Sequence, residues 1–104
     1  MGVTLPQYRL DPGERRTIDI SISRSGSAPA GPVWFRWLGQ WHQVQPADPG
    51  VNPAVYPITF AAGPPATGTH PAGTVEISTP VQLDALLTDG ADLVVREIGW
   101  IIPR

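Results

Sequence analysis

Prolines and glycines recur so often along this chain that no stretch is left for a long helix. Thirteen Pro and eleven Gly fall within 104 residues. Each interior Pro removes a helical hydrogen bond, and each Gly costs backbone entropy when it is fixed. Helical bundles and coiled coils are thereby excluded, and short strands joined by turns are what fits between such breakers. Charged residues make up 15% of the chain and hydrophobic residues 41%. The first figure lies below the roughly 25% usual for soluble domains, which argues against a disordered polyelectrolyte. A chain of this length forms one domain, residues 1–104, with one modest core.

The clearest strand runs from Arg15 to Ser23, where Ile18, Ile20 and Ile22 alternate with Thr17, Asp19 and Ser21. Period two with β-branched residues marks a half-buried strand. Immediately before it, Asp11-Pro12-Gly13-Glu14 places Pro and Gly at the central positions of a type II turn, joining an earlier strand near Leu5 to Leu10. After a Ser, Gly, Ala and Pro loop from Arg24 to Pro32, Val33 to Leu38 and Trp41 to Val44 flank Gly39-Gln40. A leading Gly suits a two-residue type II′ hairpin turn. That register pairs Phe35 with Val44 and Trp37 with His42 on one face, leaving Trp34, Arg36, Leu38 and Trp41 on the other.

The segment Pro46 to Pro57 holds four prolines and reads as an extended connection. Tyr56, Ile58 and Phe60 follow at period two, and Pro57 among them predicts an edge strand. Residues 61–73 form a second long Pro, Gly and Thr loop, and long loops in so small a domain commonly serve binding. Val75 to Ser78 is a short strand. Thr79-Pro80-Val81-Gln82 has capping-box spacing with Pro at the first helical position, Leu83, Leu86 and Leu87 share a helical face, and Gly90 stands at the C′ place. One short helix over residues 80–88 is therefore expected. The competing reading takes Asp89-Gly90 as a hairpin turn. Leu93 to Ile98 and Trp100 to Ile102 complete the strands, with Gly99 at a bulge. Six or seven short strands without βαβ alternation predict an all-β fold, a small antiparallel β-sandwich or barrel.

The formal net charge of −2 comes from seven Arg, nine acidic residues and no Lys. Only Arg15 and Arg16 adjoin, so there is no basic footprint for nucleic acid. No run approaches the 18 or so apolar residues of a membrane helix, and Met1 to Leu10 lacks the pattern of a cleaved signal. The chain has no Cys, so disulfides and thiolate chemistry are absent. His42 and His70 lack carboxylates at metal-ligand spacing, and both read as structural or solvated imidazoles. Asp84, Asp89 and Asp92 are accounted for by capping and turn roles, and they form no calcium loop. No serine stands in a nucleophile elbow, and no phosphate or dinucleotide loop is present. No catalytic residue, metal ligand or cofactor is expected.

The tryptophans carry the strongest signal. Trp34, Trp37 and Trp41 fall on one predicted hairpin. Alternation cannot bury all three: with Phe35, Trp37 and Val44 inward, Trp34 and Trp41 face outward beside Arg36. Exposed aromatic and Arg clusters are enriched at interfaces, which makes Trp34, Arg36 and Trp41 the candidate interface. The same aromatic row also admits a sugar-stacking platform, with Gln40, Gln43 and Gln45 as hydroxyl partners.

The segment Leu10-Asp11-Pro12-Gly13-Glu14, followed by Thr17 to Ile22 and then Ser25-Gly26, resembles the opening hairpin of bacterial and phage immunoglobulin-like β-sandwich modules. It covers about a quarter of the chain, and the family's Pro-poor middle is not matched. In overall style the chain is similar to small virion proteins of phages infecting GC-rich actinobacteria. That resemblance implies a non-enzymatic assembly module, a minor tail or capsid decoration protein. Its partners would be copies of itself or other structural subunits, without nucleic acid or membrane, and its place would be the virion assembled in the host cytoplasm. The alternative is a carbohydrate-binding module using the tryptophan face.

Overall fold

The computed structural model describes residues 5–89 and 91–104. Among them are eight strands and no helix: β1 (Gln7–Leu10), β2 (Arg15–Ile22), β3 (Val33–Trp37), β4 (Gln40–Val44), β5 (Ala54–Ala62), β6 (Val75–Ile77), β7 (Val81–Asp89) and β8 (Asp92–Pro103). They form a five-stranded sheet in the order β1-β8-β7-β3-β4 and a three-stranded sheet in the order β2-β5-β6. The fold is an all-β sandwich, as the turn spacing predicts. It is not purely antiparallel, since β1 runs parallel to β8 and β5 parallel to β6. No helix among the described residues is long and apolar enough to cross a membrane.

Alternation builds the core. Leu10, Phe35, Trp37, Val81, Leu83, Ala85 and Ile101 face inward from the larger sheet, against Ile18, Ile20, Tyr56, Ile58, Phe60 and Ile77 of the smaller. Aromatic rings bridge the layers: Phe35 meets Tyr56 at 5.8 Å between centroids, and Trp37 meets Phe60 edge-on at 5.9 Å. Each fully buried large side chain contributes about 1.5–3 kcal/mol relative to exposure.

The Asp11 to Glu14 turn is type II as expected, with Glu14 N–H donating to the Asp11 carbonyl at 2.8 Å and Gly13 at φ 80°. The strands it joins do not pair as a hairpin, however. β1 hydrogen-bonds to β8 in one sheet and β2 to β5 in the other, so the turn carries the chain between layers.

The helix expected over residues 80–88 is instead β7, a central strand between β8 and β3. Val81, Leu83 and Ala85 are buried at period two, and Gln82, Leu86 and Thr88 lie on the opposite face. Ladders on both sides outweigh a local cap signal and a short Leu spacing. The competing hairpin reading fits β7 and β8 with the loop one residue later, since Asp89 pairs with Asp92. Gly90, placed at a helix C′ position or in that turn by sequence, lies outside the described residues.

Pro57 does not mark an edge, because β5 is the central strand of its sheet. Gly63 N–H donates to Ile77 O and Ala62 N–H to Glu14 O, so odd residues of β5 turn their backbone groups toward β6 and even residues toward β2. β6 pairs only with Phe60 to Ala62. The missing N–H of Pro57 therefore points where β6 does not reach, and the ladder to β2 is intact. The expected extended connection at 46–57 is also shorter, because β5 begins at Ala54. The preceding loop is compact: Arg24 donates to the carbonyls of Ala28, Pro49 and Val51, and Asn52 bonds both backbone groups of Arg24.

The ladder of β7 and β8 shifts register between Leu83 and Asp84, which face Gly99 and Glu97 and leave Ile98 as the extra residue. The bulge expected at Gly99 thus sits beside it. A Cβ on Gly99 would stand 2.8 Å from the Pro6 carbonyl oxygen, the group that accepts from Trp100 N–H. Glycine is required there for β1 to dock.

Candidate functional site

The hairpin of β3 and β4 sets the geometry of the outer face of the larger sheet. Its loop is Leu38-Gly39, not Gly39-Gln40, because Trp37 pairs with Gln40 and Phe35 with His42. Leu38 takes φ 53° and Gly39 φ 76°, the pattern of a type I′ turn. The register therefore differs by two residues from the one read in the sequence. A two-residue shift preserves which side chains share a face. Phe35 and Trp37 are buried, and His42 stacks on Trp37 with centroids 4.1 Å apart. Trp34, Arg36 and Trp41 project from the opposite face.

Cross-strand registry organises that face into rows. Trp34 lies opposite Leu86, which lies opposite Val95, giving an apolar row across three strands. Trp34 is 45% exposed, Val95 47% and the nearby Leu93 68%. In the next row Trp41 faces Arg36, Arg36 faces Asp84 and Asp84 faces Glu97. The guanidinium of Arg36 sits over the Trp41 ring, 4.9 Å from its centroid. Its Nε and Nη2 both donate to Asp84 Oδ2, at 3.0 and 2.9 Å, while Gln82 Nε2 donates to Oδ1 at 3.0 Å. Asp84 is thus the buried charged residue of the described chain, fully hydrogen-bonded rather than capping a helix or shaping a turn.

The face is consequently preorganised. Trp41 and Asp84 hold Arg36 from two sides, which fixes the flank of the Trp34 row before any partner arrives. At one end Leu38 is 59% exposed and held in the left-handed region, where a non-glycine residue costs about 1–2 kcal/mol. It borders a groove of about 340 Å³ lined also by Pro80, Gln82 and Trp100. At the other end a cleft of about 960 Å³ is lined by Arg24 and Tyr56 together with Leu87 of β7 and Leu93 of β8. The Tyr56 hydroxyl donates to Gly31 O at 2.7 Å, and burial pushes its pKa above the usual tyrosine value.

The two histidines stand apart from each other. His42 lies on β4 under the Trp37 stack. The His70 ring is nearly buried in the loop after β5, its Nε2 donating to Gly63 O at 2.9 Å and its Nδ1 facing the Arg15 guanidinium at 3.3 Å. The first contact closes the loop back on the end of β5, and the second holds it against β2. No three His, Asp or Glu side chains among the described residues stand together as a metal ligand set. Sequence reasoning places Trp34, Arg36 and Trp41 together, and the structure does so. It misses Asp84, Leu86, Val95 and Leu93, which complete the face from strands that no local pattern links to the hairpin. Compared with protein-family models, with curated proteins and with solved structures, the chain matches none.

Proposed function

We propose that this chain is a non-enzymatic assembly module that docks the outer face of its five-stranded sheet against protein subunits, copies of itself included. The observation that carries this reading is the apolar row Trp34, Leu86 and Val95, exposed at Trp34 and Val95 and half-buried between them, aligned in register across three strands and flanked by the Trp41, Arg36 and Asp84 row. An apolar centre with an aromatic and Arg border is the composition of a docking surface. The style of the sequence adds the setting, a structural component of a phage particle such as a tail or capsid decoration protein. Sugar stacking on Trp34 and Trp41 is the weaker reading, because the Arg36 guanidinium already occupies one face of Trp41.

Trp34→Ser with Val95→Ser tests the proposal, since both side chains are about half exposed and their loss leaves the core intact. Solution mass across a concentration series is expected to rise for the natural chain and to lose its face-dependent growth in the variant, with unchanged circular dichroism. Identical mass profiles for the two proteins would overturn the assignment. So would a monomer whose tryptophan emission shifts on adding an oligosaccharide.

A further inference from the structure

The second sheet ends on an edge unlike the other three. β6 spans three residues, β1 four and β4 five, whereas β2 spans eight and carries an unbroken register to β5. Natural edge strands are blunted by shortness, proline, a bulge or like charge; β2 is long, free of proline and bulge, and its outward charges, Arg15 and Asp19, are of opposite sign. The direction of its free groups follows from the ladder. The Glu14 carbonyl accepts from Ala62 N–H on the β5 side, so in the alternating antiparallel pattern Arg16, Ile18 and Ile20 bond to β5. Arg15, Thr17, Asp19 and Ser21 therefore turn their N–H and C=O groups outward, and no described strand pairs with them. Their side chains are exposed as well.

We infer that the edge of β2 pairs antiparallel with β2 of a second copy about a twofold axis at Thr17, joining two three-stranded sheets into one of six. Charge and registry choose this occupant. With Thr17 opposite Thr17, Arg15 stands opposite Asp19 of the second copy, and Asp19 opposite its Arg15. All of these residues point free backbone groups at the partner. Sliding the pairing to centre on Asp19 sets two carboxylates face to face, and centring on Arg15 sets two guanidinium groups face to face. The Thr17-centred register is the one in which the edge is complementary to itself. Ile18 and Ile20 are already buried against the larger sheet, so pairing extends the sandwich without exposing its core.

This dimer deepens the assembly reading but uses a different surface, so the two are separable. The experiment is sedimentation velocity across a concentration series in the Trp34→Ser, Val95→Ser background, where only the edge contact is available. A dimer is expected there. Thr17→Pro removes an outward N–H at each symmetric position and keeps the backbone ladder to β5, losing there only the hydroxyl contact with Thr59 that Thr17→Val also loses. It is expected to weaken the dimer about thirtyfold, and Thr17→Val to leave it unchanged. Asp19→Arg is expected to weaken it about tenfold, with recovery in the Arg15→Asp, Asp19→Arg double exchange. A dimer indifferent to Thr17→Pro and to Asp19→Arg overturns the inference. A monomeric face variant also overturns it, while leaving the face reading standing if the natural chain oligomerises. Amide protection at Thr17 and Asp19 in a monomer would assign the edge to a segment of the chain itself, against the dimer.

Discussion

Removing Arg36 should cost more than removing Asp84, although the two form one ion pair. The Asp84 side chain is 8% exposed and that of Arg36 40%. Breaking a fully buried pair costs about 3–5 kcal/mol, chiefly because the surviving charge is stranded. In Asp84→Ala the survivor is Arg36, which is already two-fifths in water and keeps its contact with Trp41, so solvent screening reduces the cost to about 2 kcal/mol. In Arg36→Ala the survivor is a buried carboxylate left with Gln82 alone, and the cost stays at about 3 kcal/mol. Replacing both, Arg36→Met with Asp84→Leu, removes the desolvated charges together and should return stability to within about 1 kcal/mol of the natural chain. Urea unfolding followed by circular dichroism and by tryptophan emission gives all three values. Equal costs for the two alanine variants, or a double variant as unstable as Arg36→Ala, would refute the reasoning.

Three other perturbations have signs fixed by the structure. Gly99→Ala drives a Cβ to 2.8 Å from the Pro6 carbonyl oxygen, and should cost about 1–3 kcal/mol in urea unfolding with loss of amide protection along β1. Leu38→Asn relieves a leucine held at φ 53° before Gly39, and a thermal scan should show stabilisation of about 0.5–1 kcal/mol. Glu14 accepts from the Asp11 backbone N–H and pairs with Arg16, which holds its pKa below the usual glutamate value. A depressed folded pKa means its contribution is complete above the ordinary value and is lost as pH falls through the lowered one. Glu14→Gln should therefore flatten the acid limb of urea midpoints measured between pH 6 and 3, about the range where carboxylates titrate.

What was legible in the sequence was local. Ile18, Ile20 and Ile22 declare β2 because period two and β-branching act within the strand, and Pro12-Gly13 declares its turn because the two residues alone fix the dihedral angles. The outward set Trp34, Arg36 and Trp41 survived a wrong register, since a two-residue slip keeps the faces. What failed was decided by distant partners. Thr79-Pro80 and the Leu83, Leu86, Leu87 spacing mimic a helix, but β8 and β3 on either side make the segment a strand. Pro57 misled because its harmlessness depends on where β6 stops. Leu38 misled because leucine seldom takes positive φ, and Asp84 lies 48 positions from its Arg36 partner.

The most direct test of the docking face is the acrylamide quenching of Trp34 emission as the protein is concentrated, recorded with solution mass on the same samples. Trp37 is buried and Trp41 and Trp100 are half-buried, and their emission is common to the natural chain and Trp34→Phe, so the difference between the two isolates the Trp34 signal. Quenching of Trp34 that falls as mass rises is the expected result, because the exposed indole becomes covered. Constant quenching across the whole series, whatever the mass does, would contradict the claim that this face is where the protein assembles.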